Sequence, residues 1–258
     1  MELMVGDVVS RKSYHNDILF EIIDITDDTA ILRGVDLRLY ADSKLNDLIK
    51  EKKLDTLKED RKIIINNLKE LDLNRNEYFY LPGKILHIDG DDEYLKRCMD
   101  FYKDLNVKAK GVSLKEDDIS DYLEKNLEKY NPDILVITGH DALYRKKGRS
   151  YQNSKNFIEA VKTARKYEKD ENKLIIISGA CQSDYEELIK AGSNFASSPK
   201  RINIHALDPA IIASSVALSE KNKNIDLISI IEKTKYGSSG IGGIISSGTM
   251  YVGYPRWI

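Results

Sequence analysis

Hydrophobic and polar positions follow three successive patterns, over residues 1–40, 41–80 and 81–258. Over residues 1–40, apolar stretches such as ILFEIIDI alternate with polar positions and are separated by polar turns, which is typical of half-exposed antiparallel strands. We therefore predict a small β-barrel of the SH3 kind over residues 1–40. Over residues 41–80, leucines recur at helix-like spacing among many Lys, Glu and Asp residues, which predicts a helical connector.

Over residues 81–258, strand patterns alternate with amphipathic helix patterns. The strand patterns are GKILHIDG, VKAKGVSL, DILVITG, LIIISG and RINIHAL, and a helix pattern follows each one. This alternation predicts βαβ units, right-handed crossovers and an α/β domain with a mainly parallel wound sheet. The glycine-rich tail lacks the GK[ST] of a phosphate loop, so we expect a hairpin or a strand pair at the sheet edge.

Composition and charge restrict the class of partner. The 258 residues include 40 basic and 42 acidic side chains, which gives no electrostatic case for binding nucleic acid or an anionic membrane. The first 40 residues contain 4 basic and 8 acidic side chains, so docking of another protein is a better prediction there than RNA recognition.

Cysteine usage and the first residues indicate a cytoplasmic location. Cys98 and Cys181 are the two cysteines, too few for a disulfide framework, and no CxxC pair is present to bind zinc. The start of the sequence lacks the pattern of a signal peptide, and no apolar run approaches the ~20 residues of a membrane span. We expect the protein to remain in a reducing compartment of the cell that makes it.

Two strand ends carry the candidate chemistry. The run PDILVITGHDAL places His140 directly after a strand, and KLIIISGACQSDYEEL places Cys181 after another. Ligand crevices in wound α/β sheets lie beyond the carboxyl ends of the strands, so neighbouring strands would bring the imidazole and the thiol together. A thiol beside a base, at the start of a helix, indicates a cysteine hydrolase, with backbone N–H groups of Gly139 and Cys181 as oxyanion donors.

The remaining cysteine and histidines are given other interpretations. Cys98 lies at helical spacing among apolar residues, so it is interpreted as a core residue. His87 is interpreted as packed within a strand, and His15 as exposed in a turn. His205 also follows a strand pattern and is the reserve candidate for the base.

Aspartates collect at the predicted mouth of the site. Most are expected at turns or helix caps, but a subset would suit a pocket for a basic side chain. The candidates for binding substrate are Asp89, Asp141, Asp184 and Asp208, and Asp91 and Asp92 lie in the same region.

Two further hypotheses have no catalytic step. One is a flavodoxin-like or receiver-like binding module in which the acidic residues of HIDGDDE hold Mg²⁺. The other is a coat scaffold protein that uses the N-terminal barrel for assembly. The first predicts an unreactive Cys181, and binding that survives loss of cleavage would support the second as an added role.

A strand ending in His, a helix, and then a strand ending in Ala-Cys resembles the caspase, gingipain and clostripain clan of cysteine peptidases. More specifically, VGDVVSRKSY, GKILHIDGD, ITGHDALY, ISGACQSDYEELIKAGSNFASSPKRINIHALDP and the glycine-rich tail resemble the YabG family of sporulation-specific proteases in spore-forming Firmicutes. The similarity extends over essentially the whole chain. One departure from the wider clan is the order Gly139-His140-Asp141, because the clan usually has His-Gly.

The resemblance implies a caspase-like fold and a peptidase of the mother cell. Its implied substrates are proteins of the spore coat and cortex machinery, its implied preference is cleavage after Arg, and association with the spore coat is compatible with it. Cys181 matches the nucleophile and His140 the base, with no metal or organic cofactor required. The basic loop at residues 145–149 is then a candidate site of self-cleavage.

Overall fold

The structure is a computed structural model that describes residues 3–51, 62, 65–66, 77–144 and 150–256. The chain divides into two compact units, Met1–Arg61 and Lys62–Ile258. The predicted self-cleavage loop at 145–149 and most of the predicted helical connector lie outside the described residues.

The first unit contains an antiparallel sheet, as its alternating pattern predicts. Its strands are β1 (Val8–Arg11), β2 (Phe20–Thr26), β3 (Thr29–Gly34), β4 (Tyr40–Lys44) and β5 (Leu48–Lys50). They lie in the order β4-β3-β2-β1-β5, with a register shift in β2 between Ile22 and Asp24. Val9, Phe20 and Ile22 are fully buried in its core. The closer assignment to an SH3-like barrel stays a prediction.

The start of the predicted helical connector differs from expectation. Residues 40–44 and 48–50 are strands β4 and β5, joined by a 3-10 turn at Leu45–Asp47. Leu45 and Leu48 both pack on the core of the sheet. Their spacing of three residues fits one helical turn, but the pairing of β5 with β1 determines the local structure.

The second unit follows the alternating pattern of residues 81–258. Its strands are β6 (Phe79–Leu81), β7 (Ile85–Asp89), β8 (Ala109–Ser113), β9 (Ile134–Thr138), β10 (Leu143–Tyr144), β11 (Ser150–Tyr151), β12 (Ile175–Ser178), β13 (Phe195–Ser197), β14 (Ile241–Gly243) and β15 (Tyr251–Gly253). Its helices are α1 (Asp92–Asp104), α2 (Ile119–Tyr130), α3 (Ser154–Tyr167), α4 (Tyr185–Lys190), α5 (Asp208–Ala217) and α6 (Leu227–Glu232).

A six-stranded sheet organises this unit in the order β14-β13-β12-β9-β7-β8. Strands β8, β7, β9, β12 and β13 are parallel, and β14 is antiparallel at the edge. The glycine-rich tail supplies this edge strand and also β15, which pairs with β6 in a separate two-stranded sheet, so its two strands do not form the predicted hairpin or strand pair with each other. The direction of winding reverses between β7 and β9, because β8 lies on one side of β7 and the later strands lie on the other. Crevices for ligands form at such reversals, beyond the carboxyl ends of the strands.

Helices cover both faces of this sheet. Ile134 and Val136 of β9 belong to a core shared with α1, α5 and α6, whereas Leu135 and Ile137 belong to a core shared with α2, α3 and α4. All five residues of β9 are buried. A continuous apolar run buried on both faces is what the pattern DILVITG predicts.

The strand predicted for RINIHAL is wrong. Residues 201–207 form a loop with a single bridge residue, and the fifth parallel strand is β13, which precedes it. Ile202, Ile204 and Ala206 alternate with polar residues in the sequence, which resembles a strand, but residues 204–207 are all buried in the loop. Strand β13 lies among Asn and Ser residues that gave no strand signal.

Among the described residues, no helix combines the length and apolar character needed to cross a membrane.

Candidate active site

The ends of β9 and β12 lie side by side in the parallel sheet. Ser178 of β12 pairs with Ile137 of β9. Cys181 lies three positions beyond Ser178, and His140 lies three positions beyond Ile137. The sheet therefore carries the predicted nucleophile and base on neighbouring strands, at equivalent positions past the same edge.

Cys181 is 1% exposed and lies in a tight turn. Its Sγ accepts a hydrogen bond from the backbone N–H of Ile204 at 3.3 Å and lies 4.0 Å from the carbonyl oxygen of the same residue. The hydrogen bond donated to sulfur favours the thiolate, which is the nucleophilic form of cysteine, whereas the Ile204 carbonyl oxygen is placed to accept the proton of the neutral thiol.

Residues on both sides of Cys181 hold the turn in place. Gly179 and Gln182 have φ values of +97° and +60°, a backbone region that costs little only at glycine. The N–H of Ala180 donates to Ser183 Oγ, and the N–H of Gln182 donates to Ser198 Oγ, both at 2.9 Å. The turn is thus fixed by side chains that follow β12 and β13.

The side chain of Gln182 links two neighbouring loops. Its Oε1 accepts from the N–H of Leu143, and its Nε2 donates to Asn203 Oδ1, both at 3.2 Å. The loops that follow β9 and β13 are therefore joined across the Cys181 turn.

His140 is partly exposed, with 24% of its side chain accessible. Its Nε2 lies 3.2 Å from Asp91 Oδ2, and its ring is tilted against that of Tyr94 at 5.9 Å between centroids. The backbone N–H of His140 donates to Glu116 Oε1 at 2.8 Å, and its carbonyl accepts from Asn153 Nδ2 at 2.8 Å. Contacts from three chain segments thus fix the residue.

Two glycines make room for the carboxylate of Glu116. A Cβ at Gly90 would lie 2.3 Å from Glu116 Oε1, and a Cβ at Gly139 would lie 2.5 Å from the same atom. Both distances are below any real contact, so the position of Glu116 depends on glycine at the ends of β7 and β9.

A buried polar network lies behind His140. The ring nitrogens of His87 contact Tyr102 Oη at 2.9 Å and Thr138 Oγ1 at 3.0 Å. Thr138 donates to Asp89 Oδ2 at 2.7 Å, and Asp89 Oδ1 accepts from the N–H of Asp91 at 3.0 Å. His87 is fully buried within its strand, as predicted.

The Asp141 carboxylate joins the loop after β9 to the start of α3 and to the Cys181 turn. Its Oδ1 accepts from the N–H groups of Ala142 at 2.9 Å and Asn153 at 2.8 Å. Its Oδ2 accepts from the hydroxyls of Ser154 and Ser183. Asp141 is 8% exposed.

Asp208 is fully buried at the start of α5. Its oxygens accept from the N–H groups of His205 at 3.0 Å and Lys235 at 2.9 Å. His205, the reserve base, is 2% exposed, and its Nδ1 accepts from the N–H of Leu207 at 3.2 Å. It follows Ile204, whose amide contacts Cys181.

Asp184 is the most accessible of the four predicted substrate-binding aspartates, with 23% of its side chain exposed. Arg201 Nη2 lies 3.2 Å from Asp184 Oδ1 and also contacts Glu186, and Arg201 Nε donates to Tyr151 Oη at 2.9 Å. Burial raises the pKa of the Asp184 carboxyl above its usual value, and the Arg201 guanidinium opposes this effect only in part.

Residues outside this edge match their predicted roles. Cys98 is fully buried in α1, where its Sγ lies 3.6 Å from the carbonyl oxygen of Ala206, and His15 is exposed. Within the described part of the chain, no three His, Cys, Asp or Glu side chains are grouped to hold a metal ion. Asp89 and Asp91 of HIDGDDE instead accept hydrogen bonds from the protein.

The sequence did not indicate a role for several residues that make contacts at this edge of the sheet. For Asp91, the sequence indicates only membership of the cluster of aspartates, although its position between a strand and a helix is a usable signal. Glu116, Asn153 and the amide of Ile204 gave no signal, because each reaches the site from a segment distant along the chain.

The chain was compared with known families and proteins. The family model described as YabG peptidase U57 matches residues 4–255. The "Sporulation-specific protease YabG" of Bacillus subtilis (strain 168) is 40% identical over 286 aligned positions, which cover 99% of each chain.

Among solved structures, the A domain of carboxylic acid reductase from Segniliparus rugosus aligns with 72% of this chain and 24% of its own, at 14% identity and a TM-score of 0.29. A likeness at that level supports no statement about this protein. The family match over nearly all residues and the identity to a full-length relative agree with each other. The chain therefore belongs to the YabG family of peptidases.

Proposed function

We propose that this peptidase is a cysteine endopeptidase with Cys181 as its nucleophile and His140 as its general base. The observation that carries the proposal is the equivalent placement of the two residues past the ends of neighbouring parallel strands. The Ile204 N–H at 3.3 Å from Sγ adds support, because it stabilises negative charge on the sulfur.

In the proposed reaction, His140 removes the thiol proton of Cys181 while the sulfur attacks the carbonyl carbon of the scissile peptide. The imidazolium then protonates the departing amine as the C–N bond breaks, which leaves a thioester. Water activated by His140 hydrolyses the thioester and restores the thiol. This sequence requires no metal or organic cofactor.

Backbone N–H groups of Gly139 and Cys181 are the proposed donors to the tetrahedral oxyanion. Loss of a single donor of this kind typically lowers kcat by on the order of 10²-fold or more. The amides of Ala180 and Gln182, on either side of Cys181, donate to side chains of the protein.

The proposed substrates are proteins of the spore coat and cortex machinery, cleaved after Arg in the mother-cell cytoplasm during sporulation. The Bacillus subtilis relative is named a sporulation-specific protease, which supports the sporulation setting. Asp184 is the proposed acidic residue for a substrate guanidinium, because its side chain is the most accessible of the four candidate aspartates.

We also propose a caspase-like arrangement for the second unit. The neighbouring positions of the strands that lead to His140 and Cys181 support it, since the clan places its His and Cys on neighbouring strands.

Cleavage assays and thiol labelling test the proposal together. Purified protein, Cys181→Ala, His140→Ala and Cys98→Ala variants are incubated with a peptide library and with purified coat proteins. Cys181→Ala and His140→Ala should each lower cleavage by about 10³-fold or more, because each removes one half of the nucleophile–base pair. Cys98→Ala is the matched control and should cleave normally.

Iodoacetamide labelling of the native protein, with the adduct located by mass spectrometry, should modify Cys181 before Cys98. Undiminished cleavage by the Cys181→Ala variant would contradict the proposal. An inert Cys181 in an inactive native protein would favour a non-catalytic role.

A further inference from the structure

Asp91 and His140 form a close carboxylate–imidazole pair across the reversal of the sheet. Asp91 follows β7 and His140 follows β9, and Asp91 Oδ2 lies 3.2 Å from His140 Nε2. The Asp91 side chain is 6% exposed and that of His140 is 24% exposed. The pair is therefore shielded on the aspartate side and open to solvent on the imidazole side.

The Asp91 carboxylate is held independently of His140. Its other oxygen, Oδ1, accepts from the N–H groups of Glu93 and Tyr94, both at 2.9 Å, in the first turn of α1. Donors at a helix N-terminus stabilise the carboxylate anion. The backbone N–H of Asp91 donates to Asp89 Oδ1 at 3.0 Å, which fixes the residue from a second direction.

This arrangement determines which ring nitrogen of His140 carries a proton. An ionised carboxylate only accepts hydrogen bonds, so Nε2 must be the donor in its contact with Asp91. In the neutral ring, the unprotonated nitrogen with its lone pair is then Nδ1. That is the tautomer that a base needs to accept a proton through Nδ1.

We propose that Asp91 is the positioning residue of the site, a third member that acts through His140. It holds the Nε2–H tautomer, orients the ring and stabilises the imidazolium that forms when the ring takes the thiol proton. This inference rests on the proposed function of His140 as the base. The side chains of Glu116 and Asn153 hold the backbone of the same histidine, whereas Asp91 contacts its ring.

A helix cap is the structural alternative for Asp91, and the two carboxylate oxygens separate these roles. Oδ1 makes the cap, whereas Oδ2 contacts the imidazole. In Asp91→Asn, the amide oxygen continues to accept from the first turn of α1. The NH₂ group then faces Nε2 as a donor, which favours the opposite tautomer, with the proton on Nδ1.

Asp226 offers a matched control for this substitution. It caps α6, where its Oδ1 accepts from the N–H of Ser229 at 3.1 Å. Asp226→Asn makes the same chemical change at a helix N-terminus, among residues that the proposed mechanism does not use.

The experiment compares native protein, Asp91→Asn, Asp226→Asn and Cys181→Ala in cleavage of the best library peptide. Asp91→Asn should lower kcat by about 10²–10⁴-fold with little change in KM, because substrate contacts remain while the base has the wrong tautomer. The pH–rate profile of Asp91→Asn should shift. The change in its urea unfolding midpoint should be no larger than the change measured for Asp226→Asn. Asp226→Asn should keep the native kcat and pH–rate profile.

A second readout does not depend on catalysis. The ¹⁵N NMR shifts of the His140 ring should report the Nε2–H tautomer in the native protein and in Asp226→Asn, and the Nδ1–H tautomer in Asp91→Asn. If Cys181→Ala abolishes cleavage but Asp91→Asn keeps the native kcat, pH–rate profile and ring shifts, Asp91 is only a cap and the inference is wrong. If Cys181→Ala still cleaves, the proposed function fails, and the ring shifts alone decide whether Asp91 controls the tautomer.

Discussion

The backbone N–H of Ile204 donates to the Sγ of Cys181 at 3.3 Å. Ile204 lies in the loop between β13 and α5, and Cys181 lies in the turn after β12. An amide aimed at sulfur favours the thiolate, so a buried loop contributes to the chemistry of a residue that follows another strand. The reactivity of the thiol should therefore depend on side chains that hold this loop.

Ser198→Ala should reduce the reactivity of Cys181. The Ser198 hydroxyl accepts from the Gln182 N–H at 2.9 Å and donates to the Ile202 carbonyl at 2.6 Å, so it joins the Cys181 turn to the Ile204 loop. Loss of this hydroxyl should lower the free energy of unfolding by about 1–3 kcal/mol, because the partly buried N–H of Gln182 and carbonyl of Ile202 each lose a hydrogen-bond partner. Urea unfolding measures the stability, and the rate of iodoacetamide labelling measures the thiol.

Ser229→Ala serves as the control, because Ser229 is exposed on α6. Labelling of Cys181 at the native rate in the Ser198 variant would mean that the loop holds its position without that hydroxyl.

Gly139→Ala should disturb His140 through Glu116. The new Cβ would lie 2.5 Å from Glu116 Oε1, so the carboxylate must leave the N–H of His140. We expect kcat/KM to fall by about 10-fold or more, since the loss of one charge-assisted hydrogen bond is worth about 1.5–3 kcal/mol. Peptide cleavage and thermal unfolding provide the two measurements.

A double variant separates the clash from the lost contact. Glu116→Ala combined with Gly139→Ala removes the overlap, so the double variant should be more stable than Gly139→Ala alone. Its activity should remain low, because His140 still lacks its partner. Equal stability of the single and double variants would show that Glu116 is not the group displaced.

Asp141→Asn tests the predicted substrate role of this residue against its structural one. Four groups of the protein donate to the carboxylate, and an amide cannot accept from all four. We expect a loss of roughly 2–3 kcal/mol of stability, measured by urea unfolding. A substrate role instead predicts a rise in KM for Arg-containing peptides, measured where the variant is fully folded.

The pH dependence of stability should change in Asp184→Asn. Folding raises the pKa of Asp184, chiefly through burial, so the folded chain holds this proton more tightly than the unfolded chain. The resulting stabilisation is fully present below the ordinary pKa of 3.8 and is lost as pH rises through the higher folded value. As the pH rises to neutral, the thermal midpoint of Asp184→Asn should therefore become higher than that of the native protein.

Arg201→Ala is the companion variant for this measurement. Arg201 opposes the rise in the Asp184 pKa, so its removal should raise that pKa further and destabilise the protein at neutral pH. An Asp184→Asn variant that is less stable than the native protein at neutral pH would contradict the assigned direction.

The strands that support the candidate nucleophile and base could be predicted from sequence. DILVITG and LIIISG are continuous apolar runs, and such runs fit only a strand buried on both faces in this context. Their adjacency could not be derived, because strand order depends on how crossovers pack and leaves no trace in local spacing. The contact between Asp91 and His140 depends on that order and was therefore not predicted.

Short or polar elements were also missed. Strand β13 contains only three residues, and its neighbours in sequence are polar, so hydrogen bonds to β12 and β14 define it more than any apolar pattern. The Ile204 loop shows the reverse case. Residues 204–207 are all buried, and the amide of Ile204 contacts Cys181, although these residues form a loop and not a strand.

The order of the strands has a consequence during synthesis of the chain. Asp91, His140, Cys181 and Ile204 come from four successive segments, and the last of them lies far toward the carboxyl terminus. A nascent polypeptide that ends before Ile204 lacks the amide that contacts the sulfur, even when the thiol has already left the ribosome. The hydrogen bond from Ile204 to the candidate nucleophile can thus form only after most of the protein has been translated.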